Sequence, residues 1–114
     1  MRLVEIFKSL GEKNRIRIVN ILLETRICVC ELQDVLGLAQ VTVSKHLAKL
    51  RDANIVQTDK EAQRVFYSLT DEISTNEELR KIIFSYRDGE VFRCDIERLS
   101  KVHLQKNDYV CPKE

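Results

Sequence analysis

The stretch "LGLAQVTVSKHLAKLRDANIV", residues 36–56, decides the fold predicted for this sequence. It begins with a glycine-containing turn and continues as an amphipathic segment over about residues 40 to 53. Three apolar residues recur in this segment at spacings of three and four, which is typical of a helix with one buried face. They are Val43, Leu47 and Leu50. Asn54 tolerates a left-handed conformation, so we expect the helix to end there.

Three helices are predicted upstream of this segment. The first ends at Gly11 and carries an apolar stripe at Leu3, Ile6, Phe7 and Leu10. The second covers roughly residues 13 to 25, and the short third helix, around residues 30 to 36, stops at Gly37. The third helix and the amphipathic helix after it, joined by the glycine-containing turn, are predicted to form a helix-turn-helix.

A β-hairpin and two further helical stretches are predicted downstream. The strands are "IVQT" (55–58) and "RVFYSL" (64–69), joined by the five-residue loop "DKEAQ" (59–63). The helical stretches carry apolar stripes at Leu79, Ile82, Ile83 and Tyr86, and at Phe92, Ile96, Leu99 and Val102. The segment "RDG" (87–89) either separates these stretches or lies within one bent helix. This order predicts a mainly α fold with a small β-hairpin, a winged helix-turn-helix.

Length and composition bound the class of protein. The chain has 114 residues, of which 44% are hydrophobic and 32% charged, as in an ordinary globular domain. We expect residues 1–106 to form one folded domain and residues 107–114 to form a flexible C-terminal tail. The net charge of +1 gives little overall attraction to nucleic acid, so a DNA-binding surface must concentrate positive charge locally. Between residues 40 and 68, five basic residues stand against three acidic ones.

Several classes of function are excluded by what the sequence lacks. No apolar run approaches the ~20 residues that span a bilayer, so no membrane partner is expected. The N-terminal segment is amphipathic and does not resemble a signal peptide, which predicts a cytoplasmic protein. The sequence contains no C-x-x-C motif, no nucleophile–base pairing and no glycine-rich phosphate loop. We therefore do not expect an enzyme.

The amphipathic helix has the properties of a recognition helix. Its polar side chains cluster in the first turn and a half, which is the end that usually enters the major groove. The residues predicted to contact DNA on this helix and on the hairpin are Gln40, Thr42, Ser44, Lys45, Lys49, Arg51, Lys60, Gln63 and Arg64. Of these, the first four are placed to contact base edges, and the next two are placed to reach phosphates. The three hairpin residues are placed to contact the backbone or the minor groove. A polar helix face alone indicates only solvation, but here the turn and the hairpin favour DNA binding.

Two cysteines, Cys28 and Cys30, lie at the start of the third helix in "RICVCELQDVLGL", residues 26–38. On a regular helix, residues i and i+2 point about 200° apart. The two sulfurs therefore converge only if the backbone there is extended or unwinds, so we expect ligand binding to cost helical structure. The nearby helix N-terminus is expected to lower the thiol pKa. Two thiolates select a soft metal or metalloid.

The remaining cysteines are the candidates for a third sulfur ligand. Cys94 is the first candidate and Cys111, on the predicted tail, is the second. Either must approach the pair within one subunit or across a dimer. For Cys94, a role as a small buried apolar residue is as good an interpretation as a ligand role. For Cys111, the packing role is the better interpretation.

The segment 36–56, followed by a hairpin that ends in "VFYSL", resembles the ArsR/SmtB family of metal-responsive winged-helix repressors. The motif "ICVCEL" resembles that family's "CVC" metal-binding box, and the similarity covers about residues 3 to 105. The resemblance implies a homodimer formed through the first and last helices. It also implies that the metal-free form represses an operon and that a toxic metal or metalloid releases the protein from double-stranded operator DNA. No cofactor is required for such binding.

The chain departs from the family pattern at positions that affect DNA contact and at positions that affect the choice of inducer. Ala39 and Ala62 stand where the family often has a capping serine and a glycine of the wing. Gln33 occupies the place of a third cysteine found in arsenic sensors, and no cysteine precedes Cys28 as in cadmium and lead sensors. Arsenite or antimonite, As(III) or Sb(III), fits best. Two alternatives stay open: a redox or sulfide sensor with a bridge to Cys94, and a Cd, Pb or Zn sensor of the same fold.

Overall fold

The computed structural model describes residues 2–104. Within them, the elements in chain order are α1 (Arg2–Leu10), α2 (Lys13–Leu22), β1 (Ile27–Cys28), α3 (Val29–Leu36), α4 (Gln40–Asp52), β2 (Val56–Glu61), β3 (Arg64–Leu69), α5 (Asp71–Ser74), α6 (Glu77–Ser85) and α7 (Glu90–Leu104). The three strands form one antiparallel sheet in the order β1-β3-β2. The predicted fold, mainly helical with a small sheet and a winged helix-turn-helix, is confirmed.

The ends of the helices follow local chemistry. Glu12 begins α2 because its carboxylate accepts hydrogen bonds from the backbone N–H groups of the first turn. Gly37 (φ 68°) and Asn54 (φ 58°) adopt the left-handed conformation directly after α3 and just beyond α4, as predicted. Helices α6 and α7 are separate, so the alternative of one bent helix is wrong. The second helix ends at Leu22, which is three residues earlier than predicted.

The hairpin differs from its prediction. Strand β2 continues to Glu61, and only Ala62 and Gln63 form the turn, so the predicted five-residue loop is wrong. The prediction failed because the outer half of the hairpin is held by backbone pairing. Its sequence has no alternation of apolar and polar residues that would indicate a strand. Ala62 adopts φ 57°, where a two-residue turn favours glycine. The short strand β1 was also missed, because two residues are too few to show a period.

The core lies between the helices and one face of the sheet. The stripe predicted for α4 is confirmed, since Val43, Leu47 and Leu50 have no exposed surface. The stripe of α1 is divided. Ile6 and Leu10 are buried in the core, whereas Leu3 and Phe7 are each 54% exposed. One face of α1 therefore stays available to a partner.

A buried ion pair fixes α7 to the helix-turn-helix. The guanidinium of Arg17 on α2 donates two hydrogen bonds of 2.9 Å to the carboxylate of Asp95 on α7. The same guanidinium donates a third, of 3.1 Å, to the backbone carbonyl of Leu36, the last residue of α3. Arg98 of α7 donates to the adjacent carbonyl of Val35 at 3.3 Å. The C-terminal end of α3 is thus held from α2 and from α7.

Candidate functional site

The two cysteines of the C-x-C motif meet at the junction of β1 and α3. Cys28 is the last residue of β1 and the N-cap of α3, with extended backbone angles (φ −89°, ψ 165°). Cys30 follows in the first turn of α3, and the two Sγ atoms lie 3.0 Å apart. Both residues are buried, with 4% and 3% of their surface exposed. The extended backbone at Cys28 therefore brings the sulfurs together without unwinding α3, which is the first of the two predicted alternatives.

A carboxylate completes this buried group. The Cys28 thiol donates a hydrogen bond of 3.1 Å to Oε1 of Glu31, which is itself buried. Burial, and then the Glu31 carboxylate, raise the pKa of the Cys28 thiol to about 11. The backbone N–H of Glu31 and the positive charge of Arg64 act in the opposite direction. The expectation that the helix N-terminus lowers this pKa is therefore wrong, because desolvation outweighs it.

Alkylation of Cys28 by iodoacetamide tests this effect. Only the thiolate reacts, so we expect the rate to rise about tenfold for each pH unit from pH 7 to pH 10, below the pKa of about 11. Glu31→Gln removes the opposing negative charge and is expected to shift the profile to lower pH. The measurement is peptide mass spectrometry of a Cys94→Ser, Cys111→Ser protein after timed labelling. A rate that levels off at pH 8 would contradict the raised pKa.

Cys94, the first candidate for a third sulfur, does not form a group with the pair that could hold a metal ion within residues 2–104. Cys94 is a half-buried free cysteine on α7. Its neighbour Asp95 is tied through Arg17 to Leu36 at the C-terminal end of α3. Cys30 and Leu36 are six positions apart, which is about 9 Å along a helix. Cys111 and the predicted tail, residues 107–114, lie outside the described residues, so the third ligand stays a prediction.

Over residues 2–104, no group of three or more His, Cys, Asp or Glu side chains is arranged to hold a metal ion. The described part of the site therefore consists of a pair of sulfurs with a carboxylate beside them.

The predicted recognition helix places its polar residues outside the buried stripe. Ser44, Lys45, Lys49 and Arg51 are exposed, and Gln40 and Thr42 are partly exposed. Ala39 is the N-cap and provides no side-chain hydrogen bond, as its residue type predicts. The sequence analysis missed Val41, which is 63% exposed in the first turn of α4. An exposed apolar residue there suits contact with a thymine methyl group, and its place outside the apolar stripe was the available signal.

The wing, which is the hairpin formed by β2 and β3, carries both basic and acidic side chains. Lys60 and Gln63 are exposed and Arg64 is partly exposed, so all three predicted contact residues lie on the hairpin as expected. The two carboxylates of β2, Asp59 and Glu61, are paired with Arg26, a residue that the sequence analysis did not single out. Its proximity to the wing depends on β1, which was not predicted.

A short helix, a glycine turn, a polar recognition helix and a β-hairpin define a winged helix-turn-helix DNA-binding protein. Residues 12–58 match the family model described as "Bacterial regulatory protein, arsR family". The chain belongs to this family of transcriptional regulators. None of its helices within residues 2–104 is long and apolar enough to cross a membrane.

Individual relatives agree with this assignment. The chain is 32% identical over 100 residues to the "Arsenical resistance operon repressor" of Escherichia coli, covering 87% of this chain and 80% of that protein. It is 36% identical over 73 residues to the "Cadmium resistance transcriptional regulatory protein CadC homolog" of Staphylococcus aureus, covering 63% of this chain. That match spans only 60% of the relative's length. Both relatives are described as regulators and not as enzymes, in agreement with the prediction from the sequence.

The fold also has solved counterparts. A structure described as "Reduced HlyU from Vibrio cholerae N16961" superposes with a TM-score of 0.63 at 34% sequence identity. The superposition covers 76% of this chain and 86% of that chain. The winged helix-turn-helix and the regulator class are thus supported by sequence and structure together.

Proposed function

We propose that this chain is a repressor that leaves its operator when Cys28 and Cys30 capture As(III) or Sb(III). The observation that carries the proposal is the pair of buried Sγ atoms, 3.0 Å apart at the start of α3. Each As–S bond forms when a thiol sulfur replaces one hydroxyl of arsenous acid. That hydroxyl leaves as water with the thiol proton, and arsenic stays trivalent. Cys94 is the first choice for the third sulfur and Cys111 the second, within a subunit or across a dimer.

Capture is expected to displace the start of α3. One atom bonded to both sulfurs would set their separation by its own bond lengths and angles, so we expect the pair to move from its present 3.0 Å separation. The other end of α3 is held by Arg17 and Arg98, so this movement is expected to tilt α3. The turn at Gly37 passes the tilt to α4. Switching DNA occupancy almost completely needs ~5.5 kcal/mol of differential binding, which metal–thiolate bonding is strong enough to supply.

The proposal includes a homodimer formed through α1 and α7. Leu3, Val4 and Phe7 are exposed on α1 and provide an apolar surface for it. Two-fold symmetry then presents paired recognition helices about 34 Å apart, one turn of DNA. We place this dimer in the cytoplasm, where it binds through the α4 and wing residues given above.

Arsenite titration of the DNA complex tests the proposal. The probe is a duplex that the parent protein selects from a random pool, followed by fluorescence anisotropy under reducing conditions. We expect release of the parent protein, and no release of a Cys28→Ser, Cys30→Ser double variant. Cys94→Ser and Cys111→Ser, measured singly with arsenite stoichiometry, identify the third ligand. Release of the double variant by arsenite would overturn the proposal.

A redox or sulfide sensor of the same fold is the second candidate. In it, Cys28 or Cys30 forms a disulfide or polysulfide bridge with Cys94, and the likeness to a structure described as reduced HlyU favours it. Oxidant and cadmium are therefore added as separate arms of the same titration. Release by oxidant that dithiothreitol reverses, without release by arsenite, would favour the redox candidate. Release by cadmium alone would favour a divalent-cation sensor.

A further inference from the structure

Arg26 connects the strand that precedes the cysteine pair to the wing. Its guanidinium pairs with Glu61 and lies 3.6 Å from the carboxylate of Asp59, both on β2. The same guanidinium stacks over the ring of Phe66 on β3, 4.6 Å from the ring centroid. Arg26 itself immediately precedes β1. We call Arg26, Phe66, Asp59 and Glu61 the Arg26 cluster.

The sheet register places this cluster beside the cysteine pair. Cys28 is paired with Phe66, and Phe66 is paired with Asp59, so the three residues form one row across the sheet. Directly opposed residues of antiparallel strands point to the same side of a sheet. Only one residue, Ile27, separates Arg26 from Cys28 along the chain. A displacement of Cys28 is therefore applied to the same short segment that carries Arg26.

We propose that Arg26 is a positioning residue that holds the wing in its DNA-binding geometry and ties it to the strand carrying Cys28. Two properties of the cluster support this role. It pairs with both carboxylates of β2 and offsets one of their two negative charges, which otherwise repel DNA phosphates next to Lys60. It also joins all three strands, whereas the backbone pairing of β1 with β3 extends over only two residues.

The part of this inference that concerns Cys28 rests on the proposed function, whereas the effect of Arg26 on DNA binding does not. The ion pairs are at the surface, with side-chain exposures of 44% for Arg26 and 59% for Glu61. Exposed pairs of this kind contribute little individually. The expected effect on operator affinity is therefore moderate, about fivefold.

The test measures the affinity of the selected duplex for Arg26→Gln without inducer. We expect about fivefold weaker binding than that of the parent. In the Arg26→Gln background, Glu61→Gln removes an unpaired carboxylate and is expected to recover most of the loss. In the parent background the same change is expected to alter affinity less than twofold. Arg87→Gln is the matched control, because Arg87 also pairs with a glutamate, Glu24, and stacks over a ring, Phe84, but lies in the turn between α6 and α7.

A second measurement follows the wing directly. The chain has no tryptophan, so Gln63→Trp at the tip of the hairpin provides a single fluorescent reporter. In DNA-free protein, we expect Arg26→Gln to speed the local anisotropy decay of this reporter and Arg87→Gln to leave it unchanged. Arsenite is expected to speed the decay in the parent but not in a Cys28→Ser protein.

Three results would overturn the role of Arg26. The first is a DNA affinity of Arg26→Gln within twofold of the parent. The second is an equal effect of Glu61→Gln in both backgrounds, which would indicate that Arg26 contacts phosphate itself. The third is a reporter that Arg26→Gln leaves unchanged. A reporter that responds to Arg26→Gln but not to arsenite would instead overturn the inducer and the link to Cys28, and leave the role of Arg26 in DNA binding supported.

Discussion

Asp95→Ala is expected to lower the free energy of unfolding by about 3–5 kcal/mol. The substitution leaves the Arg17 guanidinium buried without its carboxylate, 2.9 Å away in the native chain. An unpaired buried charge costs far more than the pair contributes, and natural domains are stable by only about 5–15 kcal/mol. Chemical denaturation at one fixed protein concentration measures the loss, because a dimer's stability depends on concentration.

Two variants control this measurement. Glu24→Ala also removes a carboxylate, but one that is 42% exposed in its ion pair with Arg87, and is expected to cost much less than Asp95→Ala. An Arg17→Met, Asp95→Leu double variant removes both charges and is expected to be more stable than either single variant. A loss below 1 kcal/mol for Asp95→Ala would show that the pair is hydrated in solution and does not hold α7 in place.

Combined alanine substitutions at Thr42, Ser44 and Lys45 are expected to weaken operator binding by at least about 100-fold. The three side chains lie outside the buried stripe of α4, so their removal leaves the core intact. Good contacts to bases are worth about 1–3 kcal/mol each. The three free energies add, so the corresponding factors in affinity multiply. Anisotropy titration of the selected duplex gives the dissociation constants.

Lys81→Ala serves as the matched control for charge, because Lys81 is an exposed lysine on α6, outside the helix-turn-helix and the wing. We expect its affinity to stay within twofold of the parent. Circular dichroism of the triple variant should show unchanged helix content. A triple variant that binds the duplex within fivefold of the parent would exclude α4 as the recognition helix.

The helices of the DNA-binding half were predictable because their signals are local. A stripe such as Val43, Leu47 and Leu50 and a left-handed residue such as Asn54 fix a helix and its end without reference to distant parts of the chain. Strand β1 was not predictable in this way. It exists because Ile27 and Cys28 pair with Tyr67 and Phe66, some forty residues later in the chain.

The candidate site was predictable in composition but not in geometry. The C-x-C spacing identified the sulfurs and predicted that they meet only over an extended or unwound backbone, but it did not decide between these two. Only the pairing of β1 makes Cys28 extended and brings the sulfurs together. The pKa of Cys28 was predicted in the wrong direction, since burial and the position of Glu31 depend on tertiary packing. The Arg26 cluster was missed for the same reason.

The ion pair between Arg17 and Asp95 also bears on how the domain can be dissected. Its partners are 78 residues apart in sequence, one in the second helix and one in the last described helix. A fragment that ends before α7 retains the helix-turn-helix and the wing but lacks the carboxylate that pairs with Arg17, and it uncovers the faces of α2 and α3 that α7 packs against. We therefore expect the stability of the module that reads DNA to depend on the docking of α7.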